Sequence, residues 1–319
     1  MLRLVNLLIG TKQREGLNMK YLSLFSGIGG FEVGIENVTS DWSCVGYSEI
    51  DADAISVYNK HYPNQINFGD ITKIEHEKLP DFDVLIGGFP CQSYSIAGLR
   101  KGLNDERGQL FFDILKIVNA KKPKCLFLEN VKGLANHDGG KTRWFLEQKL
   151  RECGYKVFSE VLNSADYGIP QKRERIYFVC FRDDLNVTEF NFPEKVPRAH
   201  SFKDLLENSP PQSVFLNDIQ IRRIKGIGTE NAFGGYISDD SVYNCITATY
   251  APDNGHSMKF FRNDKISILS PVECERLQAF PDNWTDILPT AKRRYKTLGN
   301  AVTTQVVGKI VLEIIKTIG

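Results

Sequence analysis

The strongest constraint on the fold of this chain is a regular alternation of short, wholly apolar segments with stretches of helical spacing. Residues 21–25, Trp42–Ser48 and Val84–Gly88 read as strands, and 125–128, 156–162 and 176–181 continue the series. Helical patterns follow Gly30 and cover 52–62, 142–153 and a stretch through Leu110, Ile114 and Val118, with Pro63 and Pro123 as stops. Strands apolar on both faces need cover on both faces, which predicts a parallel sheet between helices, an α/β fold. The first strong strand begins only after Met19, so residues 1–18 are expected to form a leader outside the core. Initiation at Met19 is as compatible with the sequence as initiation at Met1.

The pattern breaks near Phe192. Pro193, Pro197, Pro210 and Pro211 interrupt it, and residues 201–266 are rich in Gly, Asn, Asp, Ser and Thr. The expected organisation is a main domain of residues 19–200 plus 267–319 and a smaller mixed or β domain of residues 201–266. Helical spacing returns at 271–280 and at the C-terminus, where Val302, Val306, Ile310 and Ile314 step by four.

Composition closes several classes. The 319 residues carry 40 basic and 39 acidic side chains, a formal net charge of +1, which excludes a bulk-basic nucleic-acid binder but not a basic cleft. No apolar run approaches the ~18 residues of a bilayer span, so no membrane association is expected. The seven cysteines are scattered without a C-x-x-C pair, and the five histidines are isolated, so neither a disulfide framework nor a metal site is expected. Residues 1–10 lack a charged start and a small-residue cleavage site, so the expected location is cytoplasmic.

Four segments carry chemistry. After the first strand comes Ser26-Gly27-Ile28-Gly29-Gly30, where glycine lets a ligand approach the backbone and the next helix start favours a negative group. A dinucleotide fingerprint requires Gly or Ala where Glu32 stands, so that reading fails. Glu49 lies 20 residues beyond Gly29, at the end of the second strand, as suits a carboxylate on ribose hydroxyls. With Asp70 in addition, a ribose-bearing ligand without a pyrophosphate, S-adenosylmethionine, is favoured over a ligand-free tight turn. Next, Gly87-Gly88-Phe89-Pro90-Cys91-Gln92 places a cysteine just past a buried strand, where open α/β sheets bind ligands. A nucleophilic thiolate needs such a semi-exposed setting, whereas the other six cysteines read as inert. Glu129-Asn130 ends another buried strand on the same sheet edge. Last, in Gln171-Lys172-Arg173-Glu174-Arg175 the arginines share one face and Glu174 takes the other. The pair reads either as a solvated edge or as two guanidinium groups aimed into the cleft.

In order, these segments resemble the DNA (cytosine-5) methyltransferases, the bacterial modification enzymes of restriction systems. Leu24-Phe25-Ser26-Gly27-Ile28-Gly29-Gly30 resembles the family's cofactor motif, Gly88-Phe89-Pro90-Cys91-Gln92 its nucleophile motif and Glu129-Asn130-Val131 its catalytic Glu motif. Gln171-Lys172-Arg173-Glu174-Arg175 is similar to its paired-arginine motif, Arg276-Leu277-Gln278-Ala279-Phe280-Pro281 to the ninth and Gly299-Asn300-Ala301-Val302 to the tenth. The similarity spans Met19 to the C-terminus except residues 201–266. Two positions depart from it: Ser23 stands where the family often has Asp, and Ala279 where it usually has Gly.

The resemblance implies a Rossmann-like S-adenosylmethionine-dependent methyltransferase domain with a smaller mixed/β target-recognition domain and double-stranded DNA between them. It assigns catalysis to Cys91, Glu129, Arg173 and Arg175. Cofactor binding falls to Phe25, Gly27, Ile28, Gly29, Gly30, Glu49, Asp70, Ile71, Leu110, Asn300 and Val302. DNA contacts fall to Gln92, Ser95, Arg222, Arg223 and Thr247. Cys91 would add to carbon 6 of a flipped-out cytosine while Glu129 protonates ring nitrogen 3 and the arginines hold base and nucleophile. Residues 201–266 hold seven basic and eight acidic side chains, so DNA affinity must come from their placement. A monomer is expected, with a cognate restriction endonuclease as functional partner. Three rivals are an RNA (cytosine-5) methyltransferase, a catalytically silent DNA-binding regulator, and a flavin or nicotinamide oxidoreductase. Intact catalytic motifs disfavour the second and Glu32 the third.

Overall fold

The computed structural model describes residues 17–90, 109–198, 201–226, 233–236, 241–252, 257–262 and 264–319, and all statements below concern these. Of the expected leader, residues 1–16 lie outside them. Strand β1 (Met19–Leu24) is followed by helix α1 (Gly30–Glu36), β2 (Trp42–Ser48), α2 (Ala52–His61) and β3 (Val84–Gly88). Then come α3 (Gln109–Lys121), β4 (Cys125–Val131), α4 (Lys132–Asn136), α5 (Lys141–Glu152), β5 (Tyr155–Asn163), β6 (Gln171–Lys172) and β7 (Glu174–Arg182). The main sheet has the order β2-β1-β3-β4-β7-β5. The alternation read from the sequence is therefore realised as an α/β fold.

The sheet is not wholly parallel. β1 to β4 run parallel, but β7 pairs antiparallel with both β4 and β5. The physical reason lies in the connection: β5 and β7 are joined by a short 3-10 turn and β6, without a crossover helix, and only an antiparallel return fits such a link. Apolarity alone carries no strand direction. β4 also runs three residues beyond the expected 125–128, taking Glu129 and Asn130 into the strand.

Alternate strand residues feed two cores. Leu22, Leu24, Leu85, Leu126, Leu128, Phe178 and Cys180 face Ile114, Val118, Leu146 and Leu150 of α3 and α5. Tyr21, Val84, Ile86, Phe127, Tyr177 and Val179 face Phe31 and Ile35 of α1 and the C-terminal helix. That helix is reached through α7 (Pro271–Leu277) and α8 (Ala291–Asn300), α6 (Asp218–Gly226) belonging to the earlier segment, and is α9 (Thr304–Ile318). Its buried stripe is Val306, Val307, Ile310, Val311 and Ile314. Val302 precedes the helix but packs in the same core, so the step of four begins at Val306. The stretch Ala291–Ile318 is apolar over much of its length, but neither of its helices, of 10 and 15 residues, reaches the ~18 residues of a bilayer span. It is two helices broken around Ala301, and 67% of its apolar window is buried in this protein.

Residues 201–266 hold α6 and short strands: β8 (Phe233–Tyr236), β9 (Tyr243–Asn244), β10 (Lys259–Arg262) and β11 (Lys265–Ser267). β11, β10 and β8 form one small sheet, while β9 pairs with β6 of the main segment. A shared core of Phe202, Val214, Tyr243, Ile246 and Phe260 with Leu277, Tyr295 and Leu298 continues across the junction.

Glu32 on α1 is fully buried; Tyr58 donates a hydroxyl hydrogen bond to its Oε1 at 3.0 Å, while its Oε2 and Ser23 Oγ lack a partner of normal geometry. Burial pushes the Glu32 carboxyl up to about 7 from the ordinary 4.5. The folded state thus holds this proton more tightly than the unfolded chain does. Stability from this group is full below about pH 4.5 and is lost as pH rises to about 7, on the order of 3 kcal/mol. Glu32→Gln cannot titrate, so its urea midpoint relative to the native chain is expected to climb across that window. A constant difference between the two would show that Glu32 is not the titrating group.

Candidate catalytic site

Register places the reactive ends of the strands in one row. Leu24 pairs with Ser48 and Gly87, and Gly88 pairs with Glu129. The glycine loop, Glu49, the segment leading to Cys91, and Glu129 therefore share the carboxyl edge of the sheet, where ligands bind in open α/β folds. Asn130 donates Nδ2 to the Phe89 carbonyl at 2.9 Å, anchoring the chain two residues before Cys91. Cys91, Gln92 and Ser95 themselves lie outside the described residues. A Cβ added to Gly88 would stand 3.0 Å from Glu129 Oε2, so glycine is what lets the carboxyl occupy the strand end.

Glu129 is 8% exposed and pairs with Arg175, Oε1 to Nε at 3.0 Å. Burial raises its pKa and outweighs the opposing pull of the Arg175 and Arg173 guanidinium groups. It is a carboxyl biased toward holding a proton, beside a cation that fixes its orientation. Glu174 points elsewhere, to Lys132 at 2.7 Å, as alternation along the strand requires.

The two arginines differ in what they hold. Arg173 is 2% exposed and donates to the carbonyls of Ile246 at 2.9 Å, Gly299 at 3.1 Å and Ala301. The Nη1 and Nη2 groups of Arg173 are taken up by main-chain carbonyls, while its buried Nε has no hydrogen-bond partner. A planar fork of donors suits that task, and only Arg175 reaches the Glu129 carboxylate. Both approach the half-buried Cys245 sulfur, at 3.2 Å and 3.7 Å. Gly299 meets the backbone of Thr247 so closely that a Cβ would fall 2.2 Å from the Thr247 carbonyl carbon. Thr247 thus sits where residues 201–266 meet the Gly299 segment, its side chain exposed. Arg222 is exposed on α6; the side chain of Arg223 lies outside those described.

On the other side of the row, Glu49 organises the glycine loop. Its Oε2 accepts from Gly27 N at 2.9 Å, and its Oε1 accepts from Ile50 N at 2.7 Å and Asp51 N at 2.8 Å. Phe25, Gly27 and Gly29 all have positive φ, and at Gly29 (φ +86°) a Cβ would be 2.9 Å from the Tyr62 ring. Phe25 and Leu110 pack at the margin of one core, in which Ile71 is buried. Val302 packs on Gly30 and Gly88, joining the glycine loop to the segment that leads to Cys91, and Asn300 is exposed at the end of α8. Asp70 caps its own turn, accepting from Thr72 N at 3.0 Å and Thr72 Oγ1 at 2.8 Å, which holds its pKa down.

Three contributors escaped the sequence reading. Asn67 accepts from Glu49 N at 3.3 Å and Gly69 N at 2.9 Å and donates to Glu49 O at 3.1 Å, tying Glu49 to the Asp70 segment. Ile50, next to Glu49, is 71% exposed, an apolar surface beside a fixed carboxylate. Cys245 joins the arginine pair from a different segment. Only the exposure of a large apolar residue after Glu49 has any sequence signal, and it is visible only once the helix start is placed.

Comparison with known proteins gives concordant results. The model of the family described as C-5 cytosine-specific DNA methylase matches residues 19–316. The chain is 36% identical to the type II methyltransferase M.HhaI of Haemophilus parahaemolyticus, covering 96% of this chain and 97% of that protein. It is 39% identical to the type II methyltransferase M.NlaX of Neisseria lactamica over 91% of this chain and 94% of that one. Among solved structures, the Entamoeba histolytica methyltransferase EhMeth superposes with a TM-score of 0.78 at 21% identity, covering 95% of this chain and 99% of the other. A Spodoptera frugiperda DNMT2 does so at 0.77 and 22%, covering 93% and 99%.

Proposed function

This chain belongs to the C-5 cytosine-specific DNA methylases, as a methyltransferase of the type II kind, and from that premise we propose that it methylates carbon 5 of a flipped-out cytosine in a specific duplex DNA sequence through a covalent Cys91 adduct, with S-adenosylmethionine as donor. The observation that carries the reading is the buried Glu129–Arg175 pair in register with Gly88, three residues before Cys91.

The residues fit the donor. Glu49 is a carboxylate held rigid by three backbone N–H groups beside a glycine loop, suited to a ribose diol, and exposed Ile50 with half-buried Phe25 offers apolar surface to a purine. Asp70, Ile71, Leu110, Asn300 and Val302 complete the proposed set. S-adenosylmethionine supplies, when bound, an electrophilic methyl group for carbon 5.

Carbon 5 of cytosine is too weak a nucleophile unaided. The Cys91 thiolate adds to carbon 6, and the electron pair of the 5,6 double bond moves into the ring as Glu129 delivers its proton to nitrogen 3. Burial raises the pKa of Glu129, which makes it a better proton carrier than a free carboxyl. Arg175 orients the carboxyl, and Arg173 braces the wall around it through three carbonyls. Once carbon 5 is substituted, its proton leaves to water, the carbon–sulfur bond breaks to give back the Cys91 thiolate, the 5,6 double bond re-forms, and the nitrogen 3 proton returns to Glu129. Stacked cytosine cannot reach a strand-end thiolate, so the base leaves the helix. Residues 201–266, with Arg222, Arg223 and Thr247, are the proposed readers of flanking sequence, together with Gln92 and Ser95. A monomer acting in the cytoplasm alongside a cognate endonuclease completes the proposal.

Purified protein with methyl-labelled S-adenosylmethionine is expected to label duplex DNA, and bisulfite sequencing of DNA from expressing cells to show protected cytosines in one sequence context. Label in transfer RNA and none in duplex DNA would overturn the reading in favour of an RNA-methylating relative. Glu49→Gln is expected to weaken S-adenosylmethionine binding about tenfold or more by loss of a charged hydrogen-bond acceptor, leaving sequence preference unchanged.

A further inference from the structure

We propose that Trp284 is the positioning residue that holds the glycine loop in its ligand-binding shape, an inference that rests on the reading of that loop as the S-adenosylmethionine site. The loop's backbone is gripped from two sides. Gly27 N is held by Glu49, and the Ile28 carbonyl accepts from the indole Nε1 of Trp284 at 2.8 Å. These two bonds fix the peptide groups on either side of the Gly27–Ile28 peptide, in the segment where the backbone itself would contact a ligand. Glu49 comes from the adjacent strand. Trp284 comes from 256 positions away in the chain.

Trp284 is itself held on every side. Its ring stacks on His61 at 3.5 Å with 2° between the planes, and packs on Phe280 at 5.6 Å. His61 Nε2 lies 2.8 Å from the Trp284 carbonyl; a carbonyl only accepts, so that nitrogen carries the proton. The turn bearing Trp284 is pinned by the fully buried Glu275, which accepts from Asn283 N at 2.7 Å and Thr285 N at 2.8 Å. Gly29, at φ +86°, presses the loop onto this wall, with Trp284 Cζ2 only 3.7 Å from where a Cβ would stand. A residue whose task was to fill volume would need no N–H. Here a buried donor meets the Ile28 carbonyl, whose neighbours Ser26 O and Gly29 O are held by main-chain N–H groups, and removing it takes away the donor to that carbonyl.

The test measures S-adenosylmethionine and S-adenosylhomocysteine binding to the full chain by calorimetry, with duplex DNA affinity and thermal midpoint in parallel. Trp284→Phe keeps an aromatic ring against His61 but has no donor. Benzothienylalanine at position 284 replaces only the N–H by sulfur, keeps the volume, and guards against a variant that fails to fold. Both are expected to bind the cofactor about tenfold more weakly, with the loss in KM for S-adenosylmethionine rather than in kcat, and DNA affinity within twofold. Cofactor affinity within twofold of the native chain for the benzothienylalanine protein would overturn the proposal. So would an equal loss of cofactor and DNA affinity, which marks a general packing defect. If the native chain binds neither compound, it is the underlying cofactor reading that fails.

Discussion

Cys91→Ala is expected to lower methyl transfer by at least about four orders of magnitude while DNA binding persists, because without sulfur addition carbon 5 never becomes nucleophilic. Duplex DNA carrying 5-fluorocytosine at the target is expected to trap the native protein in a denaturation-resistant complex. Fluorine cannot leave as a proton does, so elimination of the cysteine is blocked. The alanine variant is expected to form no such complex. An adduct in that variant would move the nucleophile to another residue, and Cys245, beside both arginines, would be the first to examine.

Arg173 and Arg175 are expected to fail in different ways, although two positions apart and on one face. Arg173→Ala removes the guanidinium shared by the Ile246, Gly299 and Ala301 carbonyls in a buried setting, leaving Ile246 only the weak Cys245 Sγ donor at 3.4 Å and Ala301 only Gln278 Nε2 at 3.5 Å. Breaking such a buried charged network costs about 3–5 kcal/mol, so a sharply lowered melting temperature or insoluble protein is expected. Arg173→Lys is expected to rescue little, because one ammonium cannot reproduce the fork. Arg175→Ala leaves Glu129 buried without the cation that lowers its pKa, so burial pushes the carboxyl further up and it can take up a proton instead of remaining a bare buried charge. Activity is then expected to fall by about two orders of magnitude, with a much smaller loss of stability. A stable, folded but inactive Arg173→Ala protein would show that Arg173 acts on substrate rather than on the frame.

The departures from the resembling family became physical in the structure. Ala279 sits at φ +60°, in the left-handed region where glycine is unstrained and alanine costs about 1 kcal/mol. Ser23 lies buried with its hydroxyl next to the carboxyl of buried Glu32, the pair falling short of normal hydrogen-bond geometry. Neither residue lies among the groups assigned to catalysis, but each marks a polar or conformational cost that the surrounding packing offsets.

Strand positions, the order of elements and the sheet-edge location of Gly88, Glu49 and Glu129 were legible because they depend on local periodicity. An apolar run of β residues and a helical repeat are read within ten residues, and the rule that ligands bind at carboxyl ends does the rest. Strand direction was not legible: β7 runs against its neighbours because of the short link that precedes it, and its apolar pattern is the same either way. Nor was the division between the arginines. Equal spacing put both on one face, but which of them meets Glu129 depends on the carbonyls of 246, 299 and 301, brought there from distant segments. The same holds for Trp284 and Asn67, whose partners are chosen by packing. Residue types at the strand ends are readable locally, because side-chain alternation and helix period are short-range. Burial, pairing and aim of those groups are set by packing, because hydrogen-bond partners arise where segments far apart in the chain close on one another.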